Sequence, residues 1–214
     1  MEGGFHGSYT TPTDALWAAR NSTAPPVGGL LAAYAFAWVI GLPLAASAQG
    51  MLPVALPLWL HYLTAFGPAL AALLVTWSID GAEGVQRLMR RVSHWNIGLG
   101  WLLFAILSPV GLYLLLALGL VALGGDPPGL RALGTVNFLP YLGLAAWPLW
   151  ICTNGIGEET GWRGFALPRL QQHHNAFIAT LLLGVVWAFW HVPFFFYLPN
   201  FRAMGAVGFP GFAM

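Results

Sequence analysis

The stretch Gly157-Glu158-Glu159-Thr160-Gly161-Trp162-Arg163-Gly164 places two adjacent carboxylates and an arginine inside a strongly apolar sequence. Only 7% of the 214 residues are charged, and 58% are hydrophobic. A chain of this composition cannot cover itself with polar surface in water, so it is typical of a membrane protein. A carboxylate at membrane depth costs about 3 kcal/mol or more, so this pair indicates a functional site.

Five long apolar runs are separated by polar or Gly- and Pro-rich segments. They cover residues 27–47, 52–79, 97–123, 136–167 and 176–198. About 20 apolar residues in a helix cross roughly 30 Å of hydrocarbon, and these runs lack the alternating pattern of a barrel strand. We therefore predict an all-α, polytopic transmembrane helix bundle with about five helices.

The runs divide the chain into three parts. Residues 1–26 are predicted to be an N-terminal leader, and residues 27–123 three transmembrane helices. Residues 124–214 are predicted to hold the charged motif and two further transmembrane helices. The net charge of +1 argues against nucleic acid as a partner. The apolar composition predicts that the lipid bilayer surrounds the protein.

The two carboxylates are expected to have different roles. Glu159 and Arg163 are four residues apart on one helix face, in the favoured order for an ion pair, and this pairing would neutralise Glu159 inside the bundle. Glu158 is rotated by about 100° and has no such partner, only Trp162 packing beside it, so we expect it to face a cavity. Glycines at 155, 157, 161 and 164 would let other helices approach closely.

A histidine lies in the next apolar run, within Trp187-Ala188-Phe189-Trp190-His191. Helical rise permits Glu158 and His191 to meet in a polar pocket, although it does not require them to do so. His61 is also in an apolar run and is interpreted as a core residue. The alternative for the charged motif is a structural ion cluster near the membrane surface.

The pattern Glu158-Glu159-x-x-x-Arg163, followed by Trp187-x-x-x-His191, resembles the CPBP family. This family comprises the type II CAAX prenyl endopeptidases and the bacterial Abi and bacteriocin-immunity proteins. Its first motif is fully present, and in the second Trp187 replaces the usual Phe, a conservative aromatic change. A third motif, a His followed four residues later by Asn or Asp, is absent. This departure predicts a C-terminally truncated fragment or a degenerate member.

The resemblance implies an intramembrane endopeptidase, either a metalloprotease or a glutamate protease, in a bacterial cytoplasmic membrane. Glu158 would activate water as the general base, and His191 would bind a metal or stabilise the oxyanion. Glu159 and Arg163 would orient these groups and balance their charge. Zn²⁺ is the implied metal, with Glu158 and His191 as ligands, and a metal-free mechanism stays open. The implied partner is a membrane-associated peptide or protein substrate.

Two other functions fit the same residues. One is a non-catalytic membrane immunity or scaffold protein that keeps the fold, which the missing third motif favours. The other is a proton-coupled transporter, in which Glu158 and His191 would relay protons. The sequence shows no inverted repeat of the kind common in transporters, which argues against the second.

The loop 80–96 carries Arg87, Arg90 and Arg91, so the positive-inside rule predicts that it is cytoplasmic. In a protein with Cys152→Ala, we expect Gln86→Cys to resist a membrane-impermeant thiol reagent added to intact cells. Asp126→Cys, one apolar run further on, should react with the same reagent. Efficient labelling at position 86 and none at position 126 would reverse this orientation.

Overall fold

A computed structural model describes residues 26–94, 98–127 and 146–213. All regular structure in these ranges is helical, which confirms the predicted all-α fold. The predicted leader lies almost entirely outside the described residues. The long helices before the charged motif are α1 (Val27–Ala48), α2 (Gly67–Val92) and α3 (Leu99–Ala122), and short helical turns at Leu58–Leu60 and His61–Thr64 precede α2.

The charged motif lies in a run of five helical segments that follow one another without a break. Together we call them α4: Ala146–Trp150, Ile151–Glu158, Glu159–Gly161, Trp162–Ala166 and Leu167–Leu170. The second and fourth segments are π-helical, with wider turns than an α-helix. Such turns are rare and are frequent at functional sites. Glu158 therefore stands at the junction of a π-helical and an α-helical segment.

The chain continues into α5 (Ala176–Trp190), a short turn (Val192–Phe196) and α6 (Pro199–Ala213). Within the described ranges, four helical stretches are long and apolar enough to cross a membrane, namely Val27–Ala48, Leu58–Val92, Leu99–Ala122 and Ala176–Phe196. These stretches support an integral membrane protein. The fourth predicted apolar run begins in residues outside the described ranges, and its described part is α4.

The predicted loop 80–96 is largely helical. Helix α2 continues to Val92 and is interrupted at Gly81, whose φ of 62° and ψ of −158° suit glycine best. Beyond Gly81 the helix is amphipathic, with Leu88 buried and Gln86 exposed. The prediction of a loop was therefore wrong for residues 80–92, which are polar because this second part of α2 buries only one side.

Small residues allow α1 and α2 to pack closely. A methyl group on Gly67 would lie 3.0 Å from the Ala33 carbonyl oxygen and 3.1 Å from the Ala37 nitrogen. The buried face of α1 repeats small residues every four positions, at Gly29, Ala33, Ala37 and Gly41. Without a hydrophobic driving force in lipid, such faces are a principal way for helices to associate.

Helix α4 packs on the start of α2 through two of its glycines. A methyl group on Gly157 would lie 2.7 Å from the Ala65 carbonyl oxygen, and one on Gly161 would overlap Pro68. Gly164 is also in a tight position, against Leu88 and Val92 on the later part of α2. Gly155 meets only atoms of its own helix, so the expectation of close approach holds at three of the four glycines.

Two aromatic side chains of α1 fix the C-terminal end of α5. The Tyr34 hydroxyl donates to the Val186 carbonyl oxygen at 2.5 Å, and the Trp38 indole N–H donates to the Trp190 carbonyl oxygen at 3.0 Å. The last carbonyl groups of a helix have no partner within the helix. The bond from Trp38 satisfies one of them and ties α1 to the residue that precedes His191.

We expect Gly161→Ala to destabilise the folded protein, because the added methyl group overlaps Pro68 and must push α4 away from α2. Overpacking of this kind costs about 1–3 kcal/mol, more than alanine gains over glycine in a helix. Gly111→Ala, in α3, is the matched control, because its methyl group meets no atom within 4 Å. Thermal unfolding in detergent should show a lower midpoint for Gly161→Ala only. Equal midpoints would contradict the packing described here.

Candidate functional site

Glu158 is buried in the helical structure, with 5% of its surface exposed. Its Oε1 accepts a hydrogen bond from Asn154 Nδ2, four residues earlier in α4, at 3.1 Å. Its Oε2 accepts a hydrogen bond from the indole Nε1 of Trp187, on α5, also at 3.1 Å. A buried carboxylate needs such donors, since it has lost the water that would solvate its charge. Both oxygens are therefore held in a defined orientation.

Trp187 also contacts His191, the other predicted site residue. The Trp187 carbonyl oxygen lies 2.8 Å from His191 Nδ1, and the two ring centroids are 4.2 Å apart. A carbonyl oxygen can only accept, so Nδ1 carries a proton and donates it. The neutral imidazole consequently has its lone pair on Nε2. One residue thus orients both the carboxylate and the imidazole.

Glu158 and His191 lie on the wall of the same small cavity, of about 90 Å³. This volume holds a few water molecules. The cavity is also bordered by Asn154 and Thr64, which are polar, and by aromatic side chains. Phe201, on α6, stacks on the His191 ring at a centroid distance of 5.8 Å. The pocket that the sequence predicted for Glu158 and His191 therefore exists in the structure.

His61 borders this cavity too, although its apolar surroundings in the sequence predict a core residue. Its Nδ1 lies 2.8 Å from the Tyr197 hydroxyl, and its ring packs edge-on against Phe194 at 4.6 Å. Phe194 packs against the rings of both His61 and His191. No motif marks His61; its helical turn reaches the cavity through contacts with distant segments, such as those of His61 with Phe194 and Tyr197 and of Ala65 with Gly157.

A second, larger cavity of about 320 Å³ lies on another side of Glu158. Asn154 and Glu158 border both cavities, so they form the wall between them. The larger cavity has mainly apolar walls, and Leu167 and Leu183 contribute to it. A polar reaction centre next to a mostly apolar cleft is the usual arrangement of a ligand site.

Glu159 and Arg163 form the predicted ion pair, four residues apart on α4. Their side chains are 38% and 69% exposed, so the pair lies on the surface of the described structure rather than inside the bundle. The expectation of a pair inside the bundle was therefore wrong in its location. An exposed pair of this kind contributes about 0–1 kcal/mol to stability in water. Both residues border the larger cavity.

Two contacts of Glu158 were missed in the sequence. Asn154 stands four residues before Glu158, and this i, i+4 spacing is the sequence signal for the contact. The replacement of Phe by Trp187 keeps an aromatic ring, but it is not conservative in hydrogen bonding. The indole N–H donates to the carboxylate, and phenylalanine has no donor at that position.

Glu158 and His191 supply two candidate ligands for the implied zinc. A catalytic zinc site needs about three protein ligands and an open position. Across 26–94, 98–127 and 146–213, no three His, Cys, Asp or Glu side chains come together closely enough to hold a metal. The donors in these ranges do not fit a complete zinc site, so zinc stays a prediction from the resemblance and no step is derived through it.

Comparison with known proteins finds similarity in the last third of the chain. Residues 140–213 match the family model "Type II CAAX prenyl endopeptidase Rce1-like". The protein "CAAX prenyl protease 2" of Methanococcus maripaludis is 46% identical over 39 residues, which are 18% of this chain and 14% of that protein. No solved structure gives a significant match. Residues 140–213 are therefore similar in sequence to the Rce1-like type II CAAX prenyl endopeptidases, which supports the resemblance inferred from the two motifs.

Proposed function

We propose that this protein is an intramembrane endopeptidase that hydrolyses peptide bonds with water activated by Glu158. The observation that carries the proposal is the position of Glu158, buried between two cavities and held by two hydrogen-bond donors. A general base needs its carboxylate fixed within hydrogen-bond reach of the water that it activates. The small cavity provides room for that water, and the larger cavity provides room for a substrate.

The reaction follows from this arrangement. Glu158 takes a proton from water while the water oxygen bonds to the carbonyl carbon and the carbon–oxygen π electrons move onto the carbonyl oxygen. When the carbonyl re-forms, the carbon–nitrogen bond breaks, and the proton passes from Glu158 to the leaving nitrogen. His191 Nε2 can accept a hydrogen bond from the attacking water, because Nδ1 is already the donor to Trp187.

The substrate proposed is a membrane-associated peptide or protein. Apolar walls around the larger cavity favour an apolar side chain next to the bond that is cleaved. The matched family and the relative from Methanococcus maripaludis are named for prenylated CAAX substrates. Whether this protein takes a prenylated substrate is decided by comparing the same peptide with and without the prenyl group. A bacterial cytoplasmic membrane is the proposed location.

A non-catalytic immunity or scaffold protein with the same fold is the second candidate. The observation that favours it is the lack of a three-ligand metal group within the described residues. Such a protein would bind a membrane peptide in the same cavities and leave it intact. Binding without cleavage would therefore separate it from the first candidate.

We expect Glu158→Gln to abolish peptide cleavage, because it removes the base and keeps the shape and the bond from Trp187. The assay uses the chain in lipid vesicles and three quenched-fluorescent peptides. One has a farnesylated Cys-aliphatic-aliphatic-X end, one is the same peptide without farnesyl, and one is an apolar membrane-spanning helix. Glu83→Gln, an exposed change on α2, is the matched control and should cleave at the wild-type rate.

Glu159→Gln should keep measurable cleavage, since the Glu159 carboxylate pairs with Arg163 and does not border the small cavity. Its thermal midpoint should fall only slightly. Equal and complete loss of cleavage in Glu158→Gln and Glu159→Gln would show that the two carboxylates act as one unit. A wild-type protein that binds all three peptides and cleaves none would support the non-catalytic candidate instead.

We expect Trp187→Phe to lower kcat about tenfold, because it deletes the N–H donor to Glu158 and keeps an aromatic ring over His191. A hydrogen bond to a charged group is worth about 1.5–3 kcal/mol, which corresponds to a loss in rate of about tenfold or more. Trp77→Phe serves as the control, since Trp77 is 59% exposed on α2. Initial rates with the best of the three peptides provide the measurement. An unchanged rate in Trp187→Phe would mean that the indole N–H does not serve the base.

A further inference from the structure

Gly184, in the middle of α5, has no packing reason to be a glycine. A glycine inside a helix weakens the helix relative to alanine, so it needs a compensating role such as a positive φ or a close approach by another group. The φ of Gly184 is not positive, and a methyl group built on it would meet no atom of the described residues within 4 Å. Gly157 and Gly161, in contrast, are explained by their contact with α2. The role that is left for Gly184 is the close approach of a ligand to the helix backbone.

The open space beside Gly184 belongs to the larger cavity, which Glu158 also borders. Trp187, three residues later on α5, donates to Glu158, and Thr180, four residues earlier, borders the cavity as well. These positions form one face of α5, since residues three and four apart lie above one another on a helix. About 10 Å of helix separates Thr180 from Trp187. The cavity therefore extends from the proposed base, past Gly184, to Thr180.

The surroundings of Gly184 favour an apolar group in this space. Leu183 on α5 is 8% exposed, and it borders the cavity together with Leu167 on α4. The Thr180 hydroxyl donates its proton to the Ala176 carbonyl oxygen, within its own helix, at 2.8 Å. A polar group that lay over Gly184 would lose its hydrogen bonds with water and find few partners in exchange.

We propose that Gly184 is a specificity-determining residue, whose missing side chain opens the larger cavity to a bulky apolar side chain of the substrate. That side chain belongs to a residue next to the bond that is cleaved, because the cavity begins at Glu158. This inference rests on the proposed function and adds to it the size of the side chain that is accepted. A larger residue at position 184 narrows the cavity and turns the preference toward small substrate side chains.

The test compares substrates that differ only in size beside the cleaved bond. Mass spectrometry locates that bond in the peptide that the wild-type protein cleaves best. Two peptide series then carry Ala, Leu or Phe directly before or directly after it, and kcat/KM is measured for each peptide. The wild type should prefer Leu or Phe to Ala in one of the two series.

In that series, Gly184→Leu should lower the ratio of kcat/KM for the Phe peptide to kcat/KM for the Ala peptide by at least about tenfold. One methylene group in an apolar pocket already changes kcat/KM by about 10–200-fold. Gly184→Ala should give an intermediate ratio, and it serves even where Gly184→Leu does not fold. Gly111→Leu is the matched control and should keep the wild-type ratio, because its position is equally open and α3 has no buried residue.

Thermal unfolding in detergent checks that the space is open without using activity. Gly184→Ala should raise the unfolding midpoint, since alanine is the better helix former and its methyl group meets no neighbour. A lower midpoint would mean that another part of the protein fills the space, which would overturn the inference.

The cleavage outcomes separate this inference from the proposed function. A wild-type protein that cleaves the peptides and prefers Ala in both series would overturn the role of Gly184 alone. An unchanged ratio in both Gly184 variants would do the same, because cleavage itself would still uphold the proposed function. A wild-type protein that cleaves none of the peptides would overturn both.

Discussion

The contact of α4 with the start of α2 is the constraint on which the site depends. Gly157 and Gly161 lie against Ala65 and Pro68 at distances that admit no side chain. Because Glu158 lies between these glycines, the same contact that joins the helices sets the carboxylate beside the turn that carries His61. A membrane protein gains little from burying apolar surface between helices, so close packing of this kind must provide much of the association.

The other half of the site is held through α5. Tyr34 and Trp38 reach across from α1 to carbonyl oxygens of α5, and Trp187 on α5 reaches across to Glu158. Three aromatic side chains with polar tips thus connect α1, α5 and α4. Tyrosine and tryptophan are suited to linking helices because each combines a large apolar ring with a hydrogen-bond donor that needs a partner when it is buried. Each of the three bonds is partly buried, so leaving its polar groups without a partner would be costly.

Much of the fold and the centre of the site could be predicted from the sequence. Apolar runs of membrane length predicted the helices. Because charged residues are rare in this chain, Glu158 could be identified as a candidate site residue. The i, i+4 spacing predicted the ion pair of Glu159 and Arg163. What could not be predicted depends on contacts between distant segments. His61 joins the cavity from almost 100 residues before Glu158, and no local pattern distinguishes it from a core histidine. The continuation of α2 beyond the break at Gly81 could not be predicted, because an amphipathic helix and a polar loop have similar composition.

The break at Gly81 has a consequence for how the protein sits in the bilayer. Residues 58–92 form a helical stretch of 35 residues, which at 1.5 Å per residue would measure about 52 Å if straight, well beyond roughly 30 Å of hydrocarbon. The part before Gly81 alone measures about 35 Å, close to that thickness. The chain therefore changes direction near the depth where lipid tails give way to headgroups. The arginine-bearing part after Gly81 is amphipathic, as a helix that lies in the membrane interface is.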